Sequence, residues 1–94
     1  MTSRIATFGD RVQLEIDSHF LHLPLGKRCL HGVGDGCPDV LVGYRRKNHL
    51  LEIKVKGGTL TPDQTMFHLA WKGSVSIVTT PEEALAAIGI RSDP

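Results

Sequence analysis

Three residues on either side of a short hydrophobic hairpin carry the chemistry open to this sequence: Asp39, directly after Pro38, and the pair Glu52 and Lys54 in Glu52-Ile53-Lys54. Two carboxylates suit a hard divalent cation, which takes carboxylate, carbonyl and water oxygens. Placed beside a phosphodiester, such an ion offsets the repulsion between carboxylates and phosphate. A neighbouring lysine orients the attacking water and steadies charge growing on the phosphoryl oxygens. All of this requires the three groups to converge, which makes the strands that carry them the first question.

Val40-Leu41-Val42-Gly43-Tyr44 and Leu50-Leu51-Glu52-Ile53-Lys54-Val55 are rich in β-branched and aliphatic residues and flank the polar stretch Arg45-Arg46-Lys47-Asn48, the pattern of a β-hairpin. With Arg45 paired to Asn48, Tyr44 falls opposite His49, Leu41 opposite Glu52 and Asp39 opposite Lys54. Side chains alternate along a strand, so Asp39, Leu41 and Gly43 share a face with Leu50, Glu52 and Lys54. Opposed Cβ atoms lie about 5 Å apart and diagonal ones about 7 Å, a span that one ion and its ligands can bridge. A one-residue bulge would part Asp39 from the other two. The opposite face, Val40, Val42 and Tyr44 with Leu51, Ile53 and Val55, is continuously apolar and predicts a core that holds the site rigid from behind. Taken singly, Asp39 also suits a turn and Glu52 with Lys54 a surface ladder pair. Convergence is what favours chemistry.

The remaining elements follow from caps and periodicity. Asp10 followed by Gln13 reads as a capping box, and Val12, Ile16, Phe20 and Leu23 recur at helical spacing until Pro24. A short strand over Lys27 to His31 leads into the glycine-rich loop Gly32 to Pro38, which lets backbone approach a ligand closely and matches no phosphate-loop pattern. Thr61-Pro62-Asp63-Gln64 caps a second helix that runs to about Lys72 and stops at Gly73. Val75 to Val78 supplies a fourth strand, parallel to the third across a right-handed crossover, and Thr80-Pro81-Glu82-Glu83 opens a last helix ending near Gly89. Phe67 and Trp71 form an i, i+4 pair expected in the core, and His68 is expected at the helix surface.

At 94 residues and 40% apolar content the chain suits a single domain over residues 1–94, and no stretch approaches the roughly 20 apolar residues of a membrane span. Met1 to Phe8 is polar and reads as no signal peptide, so a cytoplasmic setting is expected, with Cys29 and Cys37 as free thiols. The formal charge is +1, but Lys27, Arg28, Arg45, Arg46, Lys47, Lys54 and Lys56 gather on or beside the sheet while Glu82, Glu83 and Asp93 lie toward the C-terminus. His19 with His22, and Cys29 with His31 and Cys37, lack paired zinc-ligand spacing and read as structural histidines and thiols. His31, ending the first strand, is expected near the cleft.

The order helix, three strands, helix, strand, with Asp39 opening the second strand and Glu52-Ile53-Lys54 on the third, resembles the PD-(D/E)XK nuclease core. Gly36-Cys37-Pro38-Asp39, Leu51-Glu52-Ile53-Lys54, Leu60-Thr61-Pro62-Asp63-Gln64, Phe67, Trp71, Gly73 and Glu83-Ala84-Leu85 look like the stand-alone VRR-NUC proteins, the virus-type replication-repair nucleases. The likeness covers roughly Asp10 to Gly89. It departs at Val55-Lys56, where relatives often carry an acidic residue and glycine.

The resemblance implies an α/β fold with an αβββαβ core, a mixed four-stranded sheet flanked by helices and a short C-terminal helix. It implies that Asp39, Glu52 and the Ile53 carbonyl ligate Mg²⁺ or Mn²⁺ and that Lys54 serves the attacking water. Glu15 matches the family's helical glutamate, which would hold a metal-bound water or a second ion. Gln64 matches its glutamine, which would hydrogen-bond the lysine or the DNA backbone. Arg45, Arg46, Lys47 and Lys56 are the candidate DNA contacts. The implied activity is a metal-dependent, structure-selective DNA endonuclease, a homodimer resembling Holliday-junction resolvases, in a bacterium or phage-infected host. The alternatives are a nickase or exonuclease within a phage replication or repair apparatus, and a noncatalytic nucleic-acid-binding module on the same fold.

Overall fold

The computed structural model describes residues 8–90, with side chains described from residue 11 onward. The Asp10 side chain and Asp93 lie outside the described residues. The elements run α1 (Phe8–Phe20), β1 (Gly26–Cys29), β2 (Val40–Tyr44), β3 (Lys47–Ile53), α2 (Pro62–Ala70), β4 (Val75–Val78) and α3 (Pro81–Ala87), the expected αβββαβ order with a short C-terminal helix. One sheet in the order β1-β2-β3-β4 carries them, antiparallel except for the parallel pair β3 and β4 on either side of α2.

The hairpin is tighter than its sequence suggests. Arg45 and Arg46 alone form the turn, at φ 51° and 65°, and β3 already begins at Lys47. Positive φ at both central residues is the turn whose twist matches that of the flanking strands. The Arg45 guanidinium lies 5.3 Å from the centre of the Tyr44 ring, a contact that helps hold the left-handed conformation. Tyr44 therefore pairs with Lys47, Val42 with His49 and Leu41 with Leu50, two residues away from the expected register. Continued by one residue, the ladder sets Asp39 opposite Glu52 instead of Lys54. A shift of two keeps every side chain on its face.

The apolar face is the core. Val40, Val42, Leu51, Ile53 and Val78 pack with Ile16 and Phe20 of α1 and with Ala84 and Ile88 at α3, while Tyr44 borders them. Burying a side chain such as Leu51 contributes about 1.5–3 kcal/mol. Of the helices that cover this face, α1 differs from expectation and α3 begins as expected. The backbone of α1 already includes Asp10, so Asp10 does not stand at the cap position before the helix; Gln13 Nε2 donates to Asp17 Oδ1 at 3.0 Å. The helix ends before Pro24, through turn bonds from Leu21 N–H to Ser18 and from Leu23 N–H to Phe20. Helix α3 has its expected Thr80 cap, which accepts the Glu83 N–H at 3.1 Å.

Helix α2 lies over the other face, with its Thr61–Gln64 capping box formed and none of its residues fully buried. Phe67 and Trp71 stack at 5.0 Å, but outside the core, where the sequence had suggested they belong. With Leu41 and Leu50 they line an apolar cavity of about 510 Å³ between helix and sheet. The two elements are joined through the loop before β2. Gly36 sits at φ 75° where a Cβ would come within 2.2 Å of the Asp63 carbonyl oxygen, so glycine is required for the loop to lie against the start of α2.

Candidate active site

Asp39 enters β2 with its backbone tied on both sides: its N–H donates to Leu51 at 3.0 Å and its carbonyl accepts from Leu30 at 2.8 Å. Its side chain reaches across to β3, where Oδ2 accepts the Ile53 N–H at 2.7 Å. The carboxylate is thereby fixed beside Glu52, which pairs across from it. Glu52 is 1% exposed, an acidic side chain withdrawn from water. Its Oε2 accepts a hydrogen bond from Gln64 Nε2 at 3.5 Å, while Oε1 has no hydrogen-bond partner among the described residues.

An ionised carboxylate held this way is costly unless something positive reaches it. Burial, then the adjoining Asp39 through proton sharing and charge, push the Glu52 carboxyl up to about 8, and Lys54 pulls the other way. Burial and Asp39 both disfavour the ionised form of Glu52. Lys54, half-buried at the end of β3, donates its backbone N–H to Val78 at 3.0 Å and projects its charge onto both Glu52 and His68. Asp39, Glu52 and Lys54 accordingly meet on the face opposite the core.

His68 stands where the sequence did not put it. Instead of facing solvent from α2, its side chain is 15% exposed and Nε2 lies 3.9 Å from Glu52 Oε1, without a hydrogen-bond partner among the described residues. Burial first, then the charge of Lys54, lowers its pKa and keeps the ring neutral. The signal was present in the spacing, since His68 follows Gln64 by four residues and shares its helix face. Gln64 itself contacts Glu52 and, through Oε1, accepts the Thr61 N–H at 2.9 Å. His31 lies past the end of β1 with Nε2 3.6 Å from Asp39 Oδ1, near the cleft as expected, and is exposed.

The remaining expected residues lie around the periphery. Glu15 is exposed on α1 and lines a separate cleft with Val55, Lys56 and Thr79. Among the described residues no group of three or more His, Cys, Asp or Glu side chains is gathered to hold a metal. Arg45, Arg46, Lys47 and Lys56 are exposed. Lys27 forms an ion pair with Asp17. Cys29 and Cys37 are free thiols; burial, then the charges of Glu52 and Asp39, raises the Cys37 pKa and makes it a poor nucleophile beside the site.

The donor set fits a hard divalent ion. Two carboxylates on adjacent strands, one with an unpartnered buried oxygen, leave the other positions to backbone carbonyl, water and phosphate, which is how Mg²⁺ is usually held. No helix among the described residues is long and apolar enough to cross a membrane.

No protein-family model matches this sequence, and no curated protein matches it. A solved structure described as a VRR_NUC domain is similar to it, with a TM-score of 0.70 and 26% sequence identity over 86% of this chain and 96% of the other.

Proposed function

We propose, from the premise that this chain is a VRR-NUC domain and has a nuclease fold, that it is a Mg²⁺-dependent, structure-selective DNA endonuclease working as a homodimer on branched DNA. The observation that carries the reading is the Glu52 carboxyl, 1% exposed and with an oxygen that has no hydrogen-bond partner among the described residues, set opposite Asp39 on the adjoining strand. A stability argument alone would not keep such a group there.

Asp39 and Glu52, with the Ile53 carbonyl, would hold the ion. When bound, it supplies charge neutralisation at the scissile phosphate and a more acidic water. Lys54 orients that water and meets the charge that grows on the phosphoryl oxygens. Gln64 keeps Glu52 in place from α2, and Asp39 is kept in place by the Ile53 N–H. Glu15, next to Lys56, serves at the margin by holding solvent. The exposed Arg45, Arg46, Lys47 and Lys56 bind the DNA backbone, which carries no sequence code.

One such site cuts one strand, so symmetric cleavage of a junction needs two copies. Exposed Met66 and Leu69 on α2 and Ile77 on β4 offer apolar surface for that contact. The test is a panel of four-way, flap, nicked and linear DNA, with and without Mg²⁺, beside the molecular mass in solution. Symmetric incision of the four-way junction by a dimer is expected. Cleavage confined to nicks or ends would replace the reading with a nickase or exonuclease. DNA binding without metal binding or cleavage would replace it with a noncatalytic module.

A further inference from the structure

We propose that His68 is a positioning residue for Glu52, its Nε2–H donating to Glu52 Oε1 so that α2 grips both oxygens of the carboxylate through Gln64 and His68. The inference rests on the proposed metal site. Helix α2 buries none of its residues fully, yet it turns two side chains spaced by one helical turn toward the two oxygens of a single carboxylate on β3. Gln64 Nε2 stands 3.5 Å from Oε2 and His68 Nε2 stands 3.9 Å from Oε1. The His68 nitrogen and the Glu52 oxygen are both buried, and both lack hydrogen-bond partners among the described residues. A polar atom withdrawn from water needs a partner, and here two such atoms face each other about 1 Å beyond hydrogen-bond distance.

The ring is held for this task. Phe67 meets it edge-on at a centroid distance of 6.4 Å, and burial with the nearby Lys54 charge keeps it neutral. A neutral imidazole carries one N–H, and an acceptor facing Nε2 selects the tautomer with the proton there. Lys54 and Glu52 are the charged groups that face it. A donor at Oε1 satisfies a buried oxygen that has no other hydrogen-bond partner among the described residues. It also fixes the rotamer in which that carboxylate sits beside Asp39. His68 thus presets the carboxylate for the ion without being a ligand itself.

The test measures Mn²⁺ affinity of the whole chain by calorimetry, with DNA cleavage followed in parallel. Groups that orient metal ligands are worth roughly 10–100-fold in affinity, so His68→Ala should bind Mn²⁺ weaker by that factor, and His68→Gln, which carries an N–H donor to a similar reach, should recover to within about 3-fold of wild type. Thr65→Ala, on the exposed side of the same helix, should bind as wild type. Should His68→Ala fail to fold, His68→Gln against His68→Leu makes the same comparison. Wild-type affinity in His68→Ala, or no recovery in His68→Gln, overturns the inference alone. Absence of Mn²⁺ binding by the wild type overturns the nuclease reading and the inference with it.

Discussion

Replacing Glu52 by Gln should make the metal-free protein more stable at alkaline pH, even as it removes the capacity to bind metal. The side chain is 1% exposed and its carboxyl is pushed up to about 8 from an ordinary value of 4.5, first by burial and then by Asp39. In the unfolded chain it ionises above 4.5, whereas in the folded chain it stays protonated until about 8. Folding therefore takes up a proton across that interval. The neutral carboxyl's contribution is fully present below pH 4.5 and is lost as pH rises through about 8. Each pH unit is worth about 1.4 kcal/mol, which bounds the loss at about 5 kcal/mol. Because the neighbouring Asp39 contributes to the shift, only a part of that, about 2 kcal/mol, is assigned to the burial of Glu52. In a domain of this size that corresponds to a rise of about 8–16 °C in melting temperature for Glu52→Gln over wild type at pH 8.5 in chelator. Thermal melts followed by circular dichroism at pH 4.5 and pH 8.5 measure it. The two proteins should coincide at the lower pH and separate at the higher, and added Mg²⁺ should raise the wild type alone. A difference independent of pH, or a wild type more stable than the variant at pH 8.5 without metal, would refute the reasoning.

Further expectations concern the metal, the loop and the hairpin tip. Since the ion must displace the proton that the buried Glu52 carboxyl retains, Mg²⁺ affinity should fall about tenfold per pH unit below about 8 and level off above it, with one proton released per ion in calorimetry across buffers of different ionisation enthalpy. Gly36→Ala forces a Cβ to within 2.2 Å of the Asp63 carbonyl oxygen at φ 75° and should lower stability by about 2–4 kcal/mol in urea unfolding; a neutral effect would mean that the loop does not lie on α2. Replacing Arg45, Arg46 and Lys47 together by Gln should reduce the slope of log affinity against log salt by about 2–3 for duplex arms and leave Mn²⁺ affinity unchanged; an unaltered slope would remove the hairpin tip from the DNA interface.

How much of this was legible varied with the kind of signal. Alternation along Val40 to Tyr44 and Leu50 to Ile53 assigned the two faces correctly, because face assignment survives any even error in register, whereas Val55, expected on the core face, lies past the end of β3 and outside the core. The register itself was out of reach. Two-residue turns of this kind are usually marked by Asn-Gly or Asp-Gly, and Arg45-Arg46 carries neither; its stabilising contact with Tyr44 is visible only in three dimensions. Thr61 and Thr80 announced their helices because a cap is a local arrangement of four residues. Asp10 imitated that pattern inside a helix that had already begun. His68 and the pair Phe67 and Trp71 were misplaced for one reason: helical spacing tells which residues share a face but not whether that face meets core, cavity or carboxylate. Glu15 was taken from family resemblance, and α1 covers the face of the sheet that lies away from the site.

The most direct measurement is incision of a labelled four-way junction by the wild type and by Asp39→Ala, across a Mg²⁺ titration at pH 8. Wild-type cleavage should saturate with Mg²⁺ and vanish in chelator. Asp39→Ala should be slower by about 10³-fold or more at every Mg²⁺ concentration while still folding and binding the junction, as expected where one carboxylate of a metal site is lost. Cleavage by Asp39→Ala at the wild-type rate, or wild-type cleavage undiminished in chelator, would contradict the assignment of the Asp39–Glu52 pair as the catalytic centre.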